Sequence, residues 1–269
     1  MAYLQKAAGR VRRAGADGER PSPATLSMAL ELAKFKALTL DCYGTLVDWE
    51  RGLLAVLRGW AERNQLAAGD EELLGAFAAS ETRQQQAQPF RTYRQVLRAV
   101  QTDIAARFGR PARLEDAEAL AHSVGDWPPF LDTTAALRQL QGHYKLVVIS
   151  NVDHASFVRT QTRLGVAFDA VVTAEDVGAY KPDPRMFLRA LEVMALWGIA
   201  RSEVLHVAQS LFHDHAPAKR LGLATVWVDR RHGRVGWGAT PPPTQQVTPD
   251  LVVPDLASLA ALVAQAARG

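Results

Sequence analysis

Several polar side chains stand out because each closes a short apolar run. Asp41 follows the run 37–40, and Ser150 and Asn151 follow 145–149. Lys181 lies in Tyr180-Lys181-Pro182-Asp183-Pro184, and Asp214 ends Gln209-Ser210-Leu211-Phe212-His213-Asp214, just after 204–207. Two carboxylates, an ammonium, a hydroxyl and an amide are groups that nucleophilic and acid–base chemistry draws on. Polar residues close many strands simply because loops are solvated. Residues of these types at the same end of one run after another form a set rather than a scatter.

The runs themselves are the elements that must hold these groups. Residues 37–40, 145–149, 169–173, 204–207, 224–228 and 251–253 read as strands, short and apolar. Helical spacing over 133–140, 154–164, 185–196, 214–221 and 256–267 places helices between them. Strands alternating with helices predict a parallel sheet covered on both faces, with ligands bound beyond the carboxyl ends of the strands. Between the first two strands the pattern changes. Leu53, Leu54, Leu57 and Trp60, then Leu73, Leu74 and Phe77, then Val96, Leu97, Val100 and Ile104 recur at helical spacing with no strand-like run between them. The expected fold is α/β, a Rossmann-like parallel-sheet core with an inserted all-helical cap. The core is expected over 35–50 and 128–269, the cap over 51–127, and a flexible extension over 1–34, with a short helix at 25–34.

Composition narrows the function classes. The chain has 269 residues, 48% of them hydrophobic and 22% charged, enough for a sizeable core. The net charge of +3 comes largely from Lys6, Arg10, Arg12, Arg13, Arg20 and Lys34. The body has no basic cluster of the kind that binds nucleic acid, so a small anionic substrate is the expected partner. No apolar run approaches the length of a membrane span, and the first residues lack the apolar stretch of a secretory signal. Cys42 is the single cysteine, which fits a reducing, cytoplasmic setting. Strand alternation puts Asp41 and Tyr43 on one side and Cys42 on the other, as a small buried filler.

The set resembles the haloacid dehalogenase superfamily, and within it the type II (L-)2-haloacid dehalogenases. Asp41-x-Tyr-Gly-Thr-Leu matches the first motif, Ser150-Asn151 the second, Lys181-Pro182 the third, and the segment ending in Asp214 the fourth. The resemblance implies that Asp41 is a nucleophile forming an ester that water then hydrolyses. Lys181 would hold that carboxylate, and Asp214 would orient or deprotonate the water. Thr45, Tyr43, Ser150, Asn151, Gln209 and Ser210 would border the substrate, and Arg83 of the insert would meet the departing halide, with Arg91 and Arg94 as rivals. Trp49, Trp127 and Phe130, near the crossings between insert and core, fit pocket lining or hinge packing equally. His213 and His215 form no recognised ligand set, so supporting or solvent-facing roles are expected of them.

Tyr43 and Gln209 indicate which chemistry is expected. Phosphatases of the superfamily carry a proton-donating aspartate where Tyr43 stands and a Mg²⁺-binding aspartate where Gln209 stands. A halide needs no proton to leave, and a hard cation prefers carboxylate oxygen. The expectation is therefore cofactor-free hydrolysis of short 2-haloacids to 2-hydroxy acids, in a protein that can form a homodimer. The alternatives are a Mg²⁺-dependent phosphatase and a non-catalytic binding protein. The last is motivated by Phe187 and Leu211, which stand where these dehalogenases carry a tyrosine and an asparagine.

Overall fold

A computed structural model describes residues 30–232, 234 and 237–268. Its centre is a six-stranded, wholly parallel sheet. The strands are β1 (Ala37–Leu40), β2 (Lys145–Ser150), β3 (Ala170–Thr173), β4 (Val204–Ala208), β5 (Ala224–Val228) and β6 (Leu251–Val253). Their order across the sheet is β3-β2-β1-β4-β5-β6. The chain builds outward from β1 to β3, then crosses back to β4, so the direction of winding reverses between β1 and β4. Ligands of open α/β sheets bind beyond the strand ends at such a reversal.

The central strands are apolar without alternation because both their faces are covered. All four residues of β1 and all five of β4 are buried. Two polar residues interrupt this core, and they satisfy each other. Thr39 and His206 are register partners, and Thr39 Oγ1 lies 2.9 Å from His206 Nδ1. Helices α5 (Thr133–Gln141) and α10 (Leu256–Ala266) pack together, while α8 (Pro184–Leu196) packs on β2, β3 and α9 (Ala216–Arg220). Between β2 and β3 lies α6 (His154–Leu164), and α7 (Ala174–Val177) follows β3 directly. Asp153, Asp183 and Asp255 cap α6, α8 and α10 by accepting backbone N–H groups of the first turn.

Between β1 and α5 the regular elements are helices: α1 (Trp49–Arg63), α2 (Asp70–Gln85), α3 (Tyr93–Arg107) and α4 (Leu114–Ser123), ending in a 3₁₀ turn at Val124–Asp126. Their apolar faces enclose Leu53, Leu57, Trp60, Leu73, Phe77, Val96, Leu97, Val100 and Leu120. Gly52 lets α1 lie against Trp127, since a Cβ at that position would stand 2.2 Å from the indole.

Three segments differ from expectation. Residues 1–29 of the expected extension lie outside the described residues. Where description begins, only Leu32–Lys34 forms a 3₁₀ turn. Leu32 is buried and its carbonyl accepts from Tyr144 Oη, so this stretch belongs to the core. The helix expected over 214–221 divides into a π-helical turn at Leu211–His215 and α9, because Asp214 N and His215 N both donate to Ser210 O. Asp169 falls just outside β3, its carboxylate accepting from Leu146 N and Lys145 Nζ. Among the described residues no helix is long and apolar enough to cross a membrane.

Candidate active site

Beyond the carboxyl ends of β1, β2 and β4 lies a cleft of about 430 Å³. The sheet supplies its floor. Asp41 follows β1 directly, its N–H donating to Val207 O of β4. The chain then turns sharply at Gly44, whose φ of +94° suits a residue without a Cβ. This turn brings Thr45 back under Asp41. Thr45 Oγ1 donates to Asp41 Oδ2 at 2.6 Å and accepts from Gln209 N at 2.9 Å, tying the ends of β1 and β4 together.

Lys181 sits between the two carboxylates. Its ammonium donates to Asp41 Oδ1 and Asp214 Oδ1, both at 2.7 Å, and to Ile149 O at 3.0 Å. All three side chains are buried. Asn151 holds the lysine's backbone from both sides: its Oδ1 accepts from Lys181 N at 2.7 Å and its Nδ2 donates to Lys181 O at 3.2 Å. His206 adds a further contact on Asp214 Oδ1, with Nε2 at 3.2 Å. Since that oxygen accepts, the hydrogen belongs on Nε2, and Nδ1 accepts from Thr39. Asp214 Oδ2 has no hydrogen-bond partner among the described residues.

Charge in this buried cluster follows from the pairing. Burial works against ionisation of Asp214, but Lys181 and His206 outweigh it and hold the carboxyl below the usual range. Burial pushes Asp41 upward, against the pull of Lys181. Burial opposes the Lys181 charge as well, yet the two carboxylates keep its pKa above the ordinary lysine value. Burial raises the Cys42 thiol well above its normal value, in keeping with a filler behind Asp41. His213 and His215 are pushed down to about 4 by burial and are neutral at pH 7.

The helices supply the opposite wall, with Trp49, Glu81, Gln85 and Tyr93 facing the cleft. Arg83 is not among them. It pairs with Asp103 at 2.7 Å, with 64% of its side chain exposed. Two residues along a helix turn a side chain through about 200°, so the turn that brings Glu81 and Gln85 to the cleft carries Arg83 away from it. Arg91 is bonded to Gln84 at 2.9 Å, and neither it nor Arg94 lines the cleft. Tyr43 does line it, but its hydroxyl is engaged with Thr160 Oγ1 at 2.8 Å and its ring lies edge-on to Trp127. Gln209 and Ser210 line it too. Gln209 Oε1 accepts from Thr240, and Ser210 Oγ accepts from His213 N. Ser150 is wholly buried, away from the cleft, with a hydroxyl that has no partner among the described residues. Trp127 and Phe130 pack nearby without lining it.

Sequence reasoning passed over Glu81, Tyr93 and His206, and also Gln85 and Thr240 on the cleft. Glu81 and His206 had a faint signal. Leu73, Phe77, Glu81 and Gln85 form one row at four-residue spacing, so the apolar face of α2 continues into two polar residues. His206 is a titratable residue inside an apolar strand. Glu81 is 4% exposed and accepts from Tyr93 Oη at 2.6 Å; burial, against that hydrogen bond, raises its pKa to about 7.

A family model for haloacid dehalogenase-like hydrolases matches residues 35–222. An (S)-2-haloacid dehalogenase of Pseudomonas putida is 32% identical over 108 residues, 39% of this chain and 46% of that protein, so the match spans just under half its length. The (S)-2-haloacid dehalogenase H-109 of Pseudomonas putida is 28% identical over 222 residues, 77% of this chain and 91% of its own. The structure of L-2-haloacid dehalogenase from Xanthobacter autotrophicus with chloropropionic acid covalently bound shares the fold. Its TM-score is 0.66 and its identity 21%, over 86% of this chain and 98% of that one.

Proposed function

The chain belongs to the haloacid dehalogenase-like hydrolases, and from that membership we propose that it hydrolyses short 2-haloacids to 2-hydroxy acids, with Asp41 as the nucleophile. Helices α1–α4 act as a cap over the cleft. The observation that carries this reading is the shared ammonium. Lys181 lies 2.7 Å from both Asp41 and Asp214, so one ammonium favours the ionised form of both carboxylates in a buried place that would otherwise favour protonating one. In the first step an Asp41 oxygen forms a bond to C2, and the halide leaves with the electron pair of the C2–halogen bond. In the second step water adds to the ester carbonyl and the hydroxy acid departs, restoring Asp41. Asp214 Oδ2, which no described group occupies, is the oxygen that orients this water and accepts its proton.

The departing halide needs no acid at position 43, and Tyr43 supplies none. Its hydroxyl is held by Thr160, and burial raises its pKa well above the ordinary value. The residues present do not fit a divalent cation either. Where a cation-binding site would need another carboxylate, Gln209 stands with its Oε1 accepting from Thr240. Among the described residues no group of three or more His, Cys, Asp or Glu is arranged to hold a metal.

The direct test is halide release from 2-chloropropionate with EDTA present, with rapid quenching and mass spectrometry of the peptide that contains residue 41. We expect release unaffected by EDTA, a peptide heavier by one propionate unit, and loss of both in Asp41→Asn. No halide from any short 2-haloacid, together with Mg²⁺-dependent turnover of p-nitrophenyl phosphate, would overturn the reading in favour of a phosphatase.

A further inference from the structure

The cap wall of the cleft carries a carboxyl where the family resemblance leads one to look for an arginine. Among the described residues that line the cleft, Lys181 is the only one cationic at neutral pH, and its hydrogen bonds go to Asp41, Asp214 and Ile149 O. Glu81, by contrast, is buried in α2 with Tyr93 Oη on its Oε1 and no basic side chain against it. Tyr43 and Tyr180 are near it, and Asp41, Asp214, Lys181 and His213 share the cleft. On the outer face of α2, Arg83 is paired with Asp103 and Arg91 with Gln84.

These surroundings favour the neutral acid, and burial places its pKa at about 7. With Oε1 already accepting from Tyr93, the hydrogen of the neutral form sits on Oε2. Asp41 enters the cleft from the sheet and Glu81 from the helices. A displacement at carbon sends the leaving group away from the attacking oxygen, and so toward the helical wall.

We propose that Glu81, as the neutral acid, hydrogen-bonds the departing halide through Oε2, taking the part that the resemblance assigns to Arg83. This rests on the reading of Asp41 as nucleophile. The bond balance is unchanged. Asp41 oxygen to C2 forms, C2–halogen breaks, the halide takes the electron pair, and the Oε2 hydrogen is shared with it or passes to it. A proton lost by Glu81 is replaced by the one water releases in the second step. Fluoride is the strongest acceptor among the halides, so carbon–fluorine substrates gain most from such a donor, and ionised Glu81 would also repel the substrate carboxylate.

The experiment measures halide release from 2-bromo-, 2-chloro- and 2-fluoropropionate between pH 5.5 and 9 (assay values) for the wild type, Glu81→Gln, Glu81→Ala and Tyr93→Phe, each checked for folding by circular dichroism. We expect wild-type kcat/KM to fall about tenfold per pH unit above about pH 7. Glu81→Gln should lack that limb. Tyr93→Phe, which removes the hydrogen bond that favours ionised Glu81, should move the limb to higher pH, a shift that mere loss of packing would not produce. At pH 6 Glu81→Ala should lose about 100-fold or more on the fluoro substrate and roughly fivefold or less on the bromo substrate. The same loss for all halides, or an unchanged limb in Glu81→Gln, would overturn the proposal while leaving Asp41 chemistry intact. No release of any halide by the wild type would overturn both.

Discussion

Phe187 meets His206 edge-on, with ring centroids 5.1 Å apart and planes at 71°. The phenyl ring offers Asp214 no hydrogen bond, and the imidazole it packs against does, through Nε2 at 3.2 Å. Beside Lys181, a second contact on Asp214 Oδ1 thus comes from β4, and Leu211, like Phe187, is a buried apolar residue. In the proposed second step His206 is a positioning residue, contacting Oδ1 of Asp214 while the buried Oδ2 has no partner among the described residues.

Replacing His206 with Leu should therefore slow ester hydrolysis more than ester formation. The expected result is a decrease of about 10- to 100-fold in kcat with covalent ester on Asp41 accumulating in the steady state. Thr39 Oγ1 would lose its partner as well, lowering stability by about 1–3 kcal/mol. Quench-flow mass spectrometry and urea denaturation read the two effects separately. Unchanged ester levels with lowered kcat would point away from the second step.

Lys181→Met removes the ammonium that two buried carboxylates share. Leaving those charges uncompensated should cost about 3–5 kcal/mol of stability near neutral pH and abolish turnover. The loss should shrink on acidification, as one carboxylate takes up a proton and the repulsion ends. Urea midpoints of the variant and wild type across pH 4.5–8 (assay values) would check this. A stability difference that does not vary with pH would argue against the shared-charge account.

His213 and His215 have folded pKa values pushed down to about 4 by burial. Their ordinary value is near 6.5, so as pH falls the unfolded chain binds protons before the folded one does. Stability from these neutral rings is fully present above about pH 6.5 and is lost on acidification toward about 4. The slope in that window should approach about 2.7 kcal/mol per pH unit at its steepest, for two protons. His213→Gln should roughly halve it, as measured by urea denaturation at closely spaced pH values. A variant with the wild-type slope would show that His213 titrates normally in the folded protein.

The features legible in the sequence were those that depend on short stretches of chain. Apolar runs marked every strand of the sheet, and His154–Leu164 and Leu251–Val253 lie where their patterns placed them. Asp41, Lys181 and Asp214 could be found because each lies close to a strand end, where the geometry of a parallel sheet brings distant parts of the chain together. Asn151 was found but read differently. Its amide holds the backbone of Lys181, a contact between residues thirty apart that neither local pattern reveals.

The helical wall of the cleft was decided only by tertiary structure. The sequence run Glu81-Thr82-Arg83-Gln84-Gln85 contains both residues, and the family resemblance pointed to the arginine. How α2 is rotated about its axis depends on Leu73 and Phe77 docking into a core shared with α1 and α3, and that docking turns Glu81 inward. The same holds for His206, whose bond to Asp214 requires β4 to lie beside β1 and the turn at 211–215 to fold back over it. Local order along a chain follows from backbone sterics and apolar periodicity. Which side chains meet across two packed elements follows from how their surfaces fit, and that fit is a property of the whole fold.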